Sequence, residues 1–123
     1  MDQLPEQRST SPAWAAAHAE FHEALASGCD SQVLQEIRAN LFDRAHRYRR
    51  LAAAYRSYPR SNAGEHRELM EAALAPDVER ACQLIEQHIR RTSSDVAALD
   101  AALTSAAADP TAALPVAAGS LSR

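Results

Sequence analysis

The sequence is poor in the residues that build sheets, tight turns and covalent cross-links. Of its 123 residues, three are glycine, two are cysteine and 5% are aromatic. Scarce aromatic and β-branched residues argue against strands, whereas abundant alanine, leucine, arginine and glutamate favour helices. Cys29 and Cys82 lack the C-x-x-C spacing of zinc-knuckle and redox motifs, so we expect both to be reduced packing residues. These absences predict an all-α protein.

Long hydrophobic runs and a strong charge of one sign are also missing. No apolar stretch approaches the ~20 residues of a membrane span, and Asp2 and Glu6 stand where a signal peptide would be basic and then apolar. The net charge of −3 gives no overall electrostatic attraction to nucleic acid or to an anionic membrane. We therefore expect a cytoplasmic protein that does not contact membranes, with a single small domain.

Capping signals divide the chain into about four helices, which predict an antiparallel helical bundle. The predicted segments are Pro12 to about Ser27, closed by Gly28; a long helix capped by Asp30 and ending near Tyr55; Ala63 to about Ala75, preceded by the capping box of Asn62 and Glu65; and Val78 to about Leu103. We expect residues 1–11 to be flexible, residues 12–103 to form the helical domain, and the Ala/Pro-rich residues 104–123 to be disordered.

The histidines recur at helical spacing on the inward faces of three predicted helices. A helix turns about 100° per residue, so His18 and His22 share the apolar stripe of the first helix. His66 shares its face with Leu69 on the third helix, and His88 borders the apolar stripe of the fourth. The buried face of the second helix is predicted to carry five apolar residues: Ile37, Leu41, Tyr48, Leu51 and Tyr55. His46 lies about 180° from Ile37, so we expect it to be solvated.

Four inward imidazoles need a common explanation, because a cluster of protonated histidines would repel itself. A divalent metal would supply one, since His18 and His22 can bind one ion from a single helical turn while His66 and His88 approach from other helices. Alternatively, each imidazole separately hydrogen-bonds a carbonyl or a water. The shared pattern favours metal over this alternative.

Arg44 is the basic residue that the same geometry places on the predicted inward stripe of the second helix. An inward guanidinium pairs with a carboxylate or phosphate, so Arg44 is a candidate contact for an anionic effector. Pairing with an internal glutamate, or extension to solvent, explains it equally well. The further arginines between residues 47 and 60 are interpreted as a solvated face.

The order of these residues resembles the FCD domain, the C-terminal domain of fatty-acid-responsive GntR transcription regulators. Three pieces carry the resemblance over about residues 14–100: Phe21-His22 followed by Leu25, Glu65-His66 followed by Leu69, and Asp77 followed by Ala81 and His88. The resemblance implies an incomplete FCD-type helical bundle. It also implies that His22, His66 and His88 bind a divalent metal, with His18 where the family has Asp or Asn, and that a small carboxylate effector reaches this metal.

An all-imidazole set favours zinc, nickel or copper more than a carboxylate-containing set would. We expect zinc, with nickel, manganese or another divalent metal as alternatives. FCD domains have additional helices before the helix that carries Phe21-His22, and the regulators that contain them have a winged helix-turn-helix domain before those helices. We therefore expect DNA to be bound only through a separate or missing domain. The apolar surface that those helices would cover favours a homodimer.

Two other classes of function compete with the sensor interpretation, which predicts no catalytic residue. No sequence motif supports a metal-dependent hydrolase. The zincin motif requires a glutamate directly after the first histidine, whereas Ala19 follows His18. G-x-S-x-G and P-loop motifs are absent too. The second competitor is a helical dimerisation scaffold that binds no metal. Bound metal without turnover would distinguish the sensor from both.

Overall fold

The computed structural model describes residues 11–55, 62–109 and 111. These residues form four α-helices, α1 (Pro12–Ala26), α2 (Gln32–Tyr55), α3 (Asn62–Leu74) and α4 (Val78–Ala108), and they contain no strand. The predicted all-α helical bundle is therefore confirmed. None of the four helices offers an apolar stretch that is long enough to cross a bilayer.

Local capping explains where the helices begin. The Ser11 hydroxyl accepts a hydrogen bond from the Trp14 amide at 3.1 Å, and Pro12 fills the first helical position, where no amide donor is needed. The Asp77 carboxylate accepts from the Arg80 amide at 3.0 Å and starts α4 as predicted. At the start of α2, the Ser31 hydroxyl accepts from the Leu34 amide at 3.3 Å, so Ser31 rather than the predicted Asp30 is the cap.

Two helix ends differ from the prediction. Helix α1 ends at Ala26 with Ser27 in a right-handed conformation, and no described glycine has a positive φ, so Gly28 does not close the helix in the left-handed form. Helix α4 continues past Leu103 to Ala108, because the alanine-rich sequence that follows has a high intrinsic helix propensity. Residues 104–108 are thus helical, and the remainder of the predicted disordered tail, except Asp109 and Thr111, lies outside the described residues, as do residues 1–10.

A small apolar core holds α1, α3 and α4 together beside the histidines. Leu69 and Ala72 of α3 pack with Leu84 of α4, and Phe21 and Leu25 of α1 pack against this cluster. Helix α4 also packs along α2. The buried positions next to this core include polar residues, namely His18, His66, His88 and Asp95. Polar side chains are therefore buried where leucines would be expected in an ordinary helical bundle.

The face that α2 turns inward is not the predicted one. Ile37 is 51% exposed and Leu41 58% exposed, and Tyr48 and Leu51 are exposed as well. The inward face consists instead of residues spaced by three or four positions: Phe42, Ala45, Arg49 and Ala52. The prediction assumed that the most apolar stripe of a helix faces its own domain core, whereas α2 packs with a second, smaller-residue face and leaves its apolar stripe exposed.

Candidate metal centre

Three helices bring the four predicted histidines to one point. His18 and His22 come from one turn of α1, His66 from the first turns of α3 and His88 from the middle of α4. One ring nitrogen from each of the four lies within 4.8 Å of those of the other three. The predicted convergence of the imidazoles is therefore present. His46, the fifth histidine, lies outside the cluster and is half-buried rather than fully solvated.

The spacing of the nitrogen atoms suits a small cation. His18 Nε2 and His22 Nε2 are 3.1 Å apart. Two imidazole nitrogens bound tetrahedrally to zinc at about 2.0–2.1 Å lie roughly 3.3 Å from each other. The His66 and His88 ring centroids are 4.7 Å apart, and those of His18 and His66 are 5.1 Å apart. The donor set and its spacing therefore fit a divalent metal.

Aromatic rings pack against the cluster, and burial favours the neutral forms of His18 and His22. Trp14 stacks on His18 with ring centroids 4.5 Å apart and 16° between the planes. The ring centroids of Phe42 and His22 are 5.6 Å apart. Burial, reinforced by the neighbouring histidines and Arg49, lowers the pKa of His18 from 6.5 to about 2. Burial and the same kinds of neighbour lower the pKa of His22 to about 3. Both rings thus keep a lone pair for a metal at neutral pH.

The Glu65 carboxylate contacts the cluster from α3. His88 Nδ1 lies 2.6 Å from one Glu65 oxygen, and the Arg91 guanidinium lies 3.2 Å from the other. Sequence reasoning used Glu65 only as a helix cap and as part of the Glu-His pair. Its contact with His88 depends on how α3 packs against α4, which spacing along one helix does not reveal.

Arg49, and not Arg44, is the arginine beside the histidines. The Arg49 guanidinium lies over the Phe42 ring at 4.0 Å from its centroid, and its buried Nη2 has no hydrogen-bond partner in the described part of the chain. Burial lowers the pKa of Arg49, although Asp43 partly opposes this effect. Arg44 is exposed, so its predicted inward orientation is wrong. Arg49 lies five positions after Arg44, which corresponds to about 140° around a helix.

A cleft that is open to solvent adjoins the cluster. Its lining includes His18, His88 and Arg49, together with the polar residues Asn62 and Asp95. Asp95 was missed by the sequence analysis because an aspartate on a helix is expected to be exposed. It lies seven residues after His88, and this spacing could have placed it on the inward face of α4.

Comparison with known proteins identifies the family of this chain. The FCD domain family matches residues 1–91, which include all four histidines. The chain belongs to the FCD domain family. It is 40% identical over 83 residues to the uncharacterized HTH-type transcriptional regulator BphR of Paraburkholderia xenovorans, an alignment that covers 68% of this chain and 34% of BphR. It is 36% identical over 80 residues to the HTH-type transcriptional repressor GlaR of Escherichia coli, covering 62% of this chain and 36% of GlaR.

The FCD chain thus spans about a third of the length of these curated relatives. No solved structure is significantly similar to it. The relatives are transcription regulators of the GntR type, and the family assignment supports an effector-binding regulatory domain.

Proposed function

We propose that this FCD chain is the sensing part of a transcription regulator and binds a small carboxylate effector at a divalent metal. The observation that carries the proposal is the approach of four imidazole nitrogens to within 4.8 Å of one another. His18, His22, His66 and His88 would hold the ion. Because all four ligands are imidazoles, zinc is the favoured metal, and nickel and copper are alternatives.

Charge supports an anionic effector. The cluster contains no carboxylate among its own members, so these would not compensate the charge of a dication, and the Arg49 guanidinium adds a further positive charge at the cleft. A buried guanidinium is stabilised by a carboxylate, which it can bind through two parallel hydrogen bonds. When bound, the metal would act as a Lewis acid that accepts a carboxylate oxygen of the effector. Arg49 would orient that carboxylate from α2, and the wall formed by Trp14 would exclude water from it.

The response of the domain would come from helix packing. The effector would contact α1, α2 and α4 at once, because Trp14, Arg49 and His88 line the same cleft. A ligand shifts an equilibrium only by its differential affinity for the two states, so the effector would favour the arrangement in which these helices are closest. A helix-turn-helix domain, as the names of the relatives indicate, would read this change on DNA.

Removal of single ligands tests the metal site. We expect His22→Ala and His66→Ala each to lose stoichiometric metal, measured by elemental analysis of protein purified after reconstitution with zinc. His46→Ala is the matched control, because His46 lies outside the cluster and its variant should keep full occupancy. Circular dichroism confirms that each variant is folded. Full metal occupancy in both cluster variants would contradict the proposed site.

Replacement of the two arginines tests the effector site. We expect Arg49→Ala to weaken binding of small carboxylates by about 10-fold to 100-fold, since a hydrogen bond to a charged group contributes about 1.5–3 kcal/mol. The measurement is calorimetric titration of the zinc-loaded protein with a panel of short carboxylates. Arg44→Ala on the exposed face should leave the affinity unchanged. Equal effects of the two substitutions would argue against Arg49 as the anion contact.

The homodimer remains a prediction. The exposed stripe of α2, formed by Ile37, Leu41, Tyr48 and Leu51, is the surface on which self-association would be expected. Sedimentation of the wild-type chain and of a variant with Leu41→Glu would test it.

A further inference from the structure

Glu65 is held between two partners on α4. His88 Nδ1 lies 2.6 Å from Glu65 Oε2, and Arg91 Nη1 lies 3.2 Å from Oε1. Both side chains of the first pair are largely buried, with 9% of His88 and 12% of Glu65 exposed. A contact at each carboxylate oxygen fixes the orientation of the group, and burial strengthens the hydrogen bond to the imidazole.

This contact determines which nitrogen of His88 can bind a metal. A carboxylate accepts hydrogen bonds, so the nitrogen facing it, Nδ1, carries the proton. The lone pair of the neutral ring is then on Nε2. A histidine whose second nitrogen donates to a carboxylate is a better metal ligand, because the hydrogen bond fixes the tautomer and increases the basicity of the ligating nitrogen.

The contact also brings negative charge to a cluster that has none among its own members. The four residues of the cluster are all histidines, and Arg49 adds positive charge beside them. We propose that Glu65 is a positioning residue that holds His88 as the Nδ1-protonated tautomer, lends negative charge to the all-histidine site and thereby strengthens its binding of a divalent cation. This inference rests on the proposed metal-binding function.

The test compares zinc affinity with the stability of the metal-free protein. The full chain and its variants are titrated with zinc against a chelating indicator, and the melting temperature is measured in the presence of EDTA. Glu65→Ala removes the acceptor and the charge, whereas Glu65→Gln keeps an acceptor for Nδ1 and removes only the charge. Glu68→Gln is the matched control, since Glu68 lies one turn further along α3 and pairs with Arg80 of α4, outside the cluster.

We expect Glu65→Ala to weaken zinc binding by about 10-fold to 100-fold, which is the usual effect of losing such a partner. Glu65→Gln should give a smaller loss, and Glu68→Gln should bind zinc like the wild type. If Glu65→Ala does not fold, Glu65→Gln against Glu68→Gln decides the matter. A carboxylate that only joins α3 to α4 would lower the melting temperature and leave the zinc affinity unchanged, which would overturn the inference. If the wild-type chain binds no zinc, the proposed function fails as well. If the wild-type chain binds zinc and the Glu65 variants bind it with the same affinity, the proposed function stands and the role given to Glu65 is wrong.

Discussion

Acidification should destabilise the metal-free protein through His18 and His22. Their pKa values are lowered from 6.5 to about 2 and about 3 in the folded chain, so below pH 6.5 the unfolded chain takes up protons that the folded chain does not. Stability is therefore highest above pH 6.5 and declines as the pH falls towards 3. Each histidine contributes about 1.4 kcal/mol per pH unit in this range, so a change from pH 7 to pH 5 costs about 2 kcal/mol per histidine and about 4 kcal/mol for the pair.

A loss of this size is measurable, because small domains have unfolding free energies of about 5–15 kcal/mol. Urea unfolding in EDTA, followed by circular dichroism at pH 7, 6 and 5, gives the free energy of unfolding at each pH. The double variant His18→Gln, His22→Gln should show a much flatter dependence on pH. His46→Gln should retain the wild-type slope, since His46 is outside the cluster. An unchanged free energy between pH 7 and pH 5 in the wild type would refute the reasoning.

Two further predictions concern the fold. Leu69→Ala should lower the free energy of unfolding by about 2–5 kcal/mol because it empties a fully packed core position, whereas Leu74→Ala on the same helix should change it by less than about 0.5 kcal/mol, since Leu74 is 76% exposed. Equal losses in urea unfolding would show that the core is not where we place it. Asp77→Ala should lower the free energy of unfolding by about 1 kcal/mol, because it leaves the Arg80 amide uncapped. Asp77→Asn should largely preserve stability, since asparagine also caps helices. If the two variants do not differ by more than the error of the melting experiment, the capping role is contradicted.

The sequence predicted the helices well because their starts depend on local chemistry. Pro12 and Val78 begin α1 and α4 as expected, since a capping side chain bonds to an amide only three residues away. The meeting of His18 with His22 was also predictable, because both lie on one turn of one helix. For His66 and His88, helical spacing gave an inward direction, the need of four inward imidazoles for a common partner predicted one site, and the FCD resemblance implied the same ligands.

The rotation of α2 was not predictable from its own residues. The helix has an apolar face with Leu41 and a second face with Phe42 and Arg49, and periodicity alone ranks the first above the second. Which face packs inward depends on what the other helices offer, and here the aromatic and small residues of the second face fit against the histidines. Periodicity therefore predicted Arg44 on the inward face and Arg49 on the solvated face, whereas the structure has the reverse.

The stacking of Trp14 on His18 gives this domain a built-in optical signal. Trp14 is the single tryptophan of the chain, and its indole lies flat against an imidazole of the histidine cluster. Tryptophan emission from the unlabelled protein therefore originates next to the cleft. Any event that charges, displaces or coordinates the His18 ring should change the intensity or colour of that emission, so the sensor can be followed without attaching a dye.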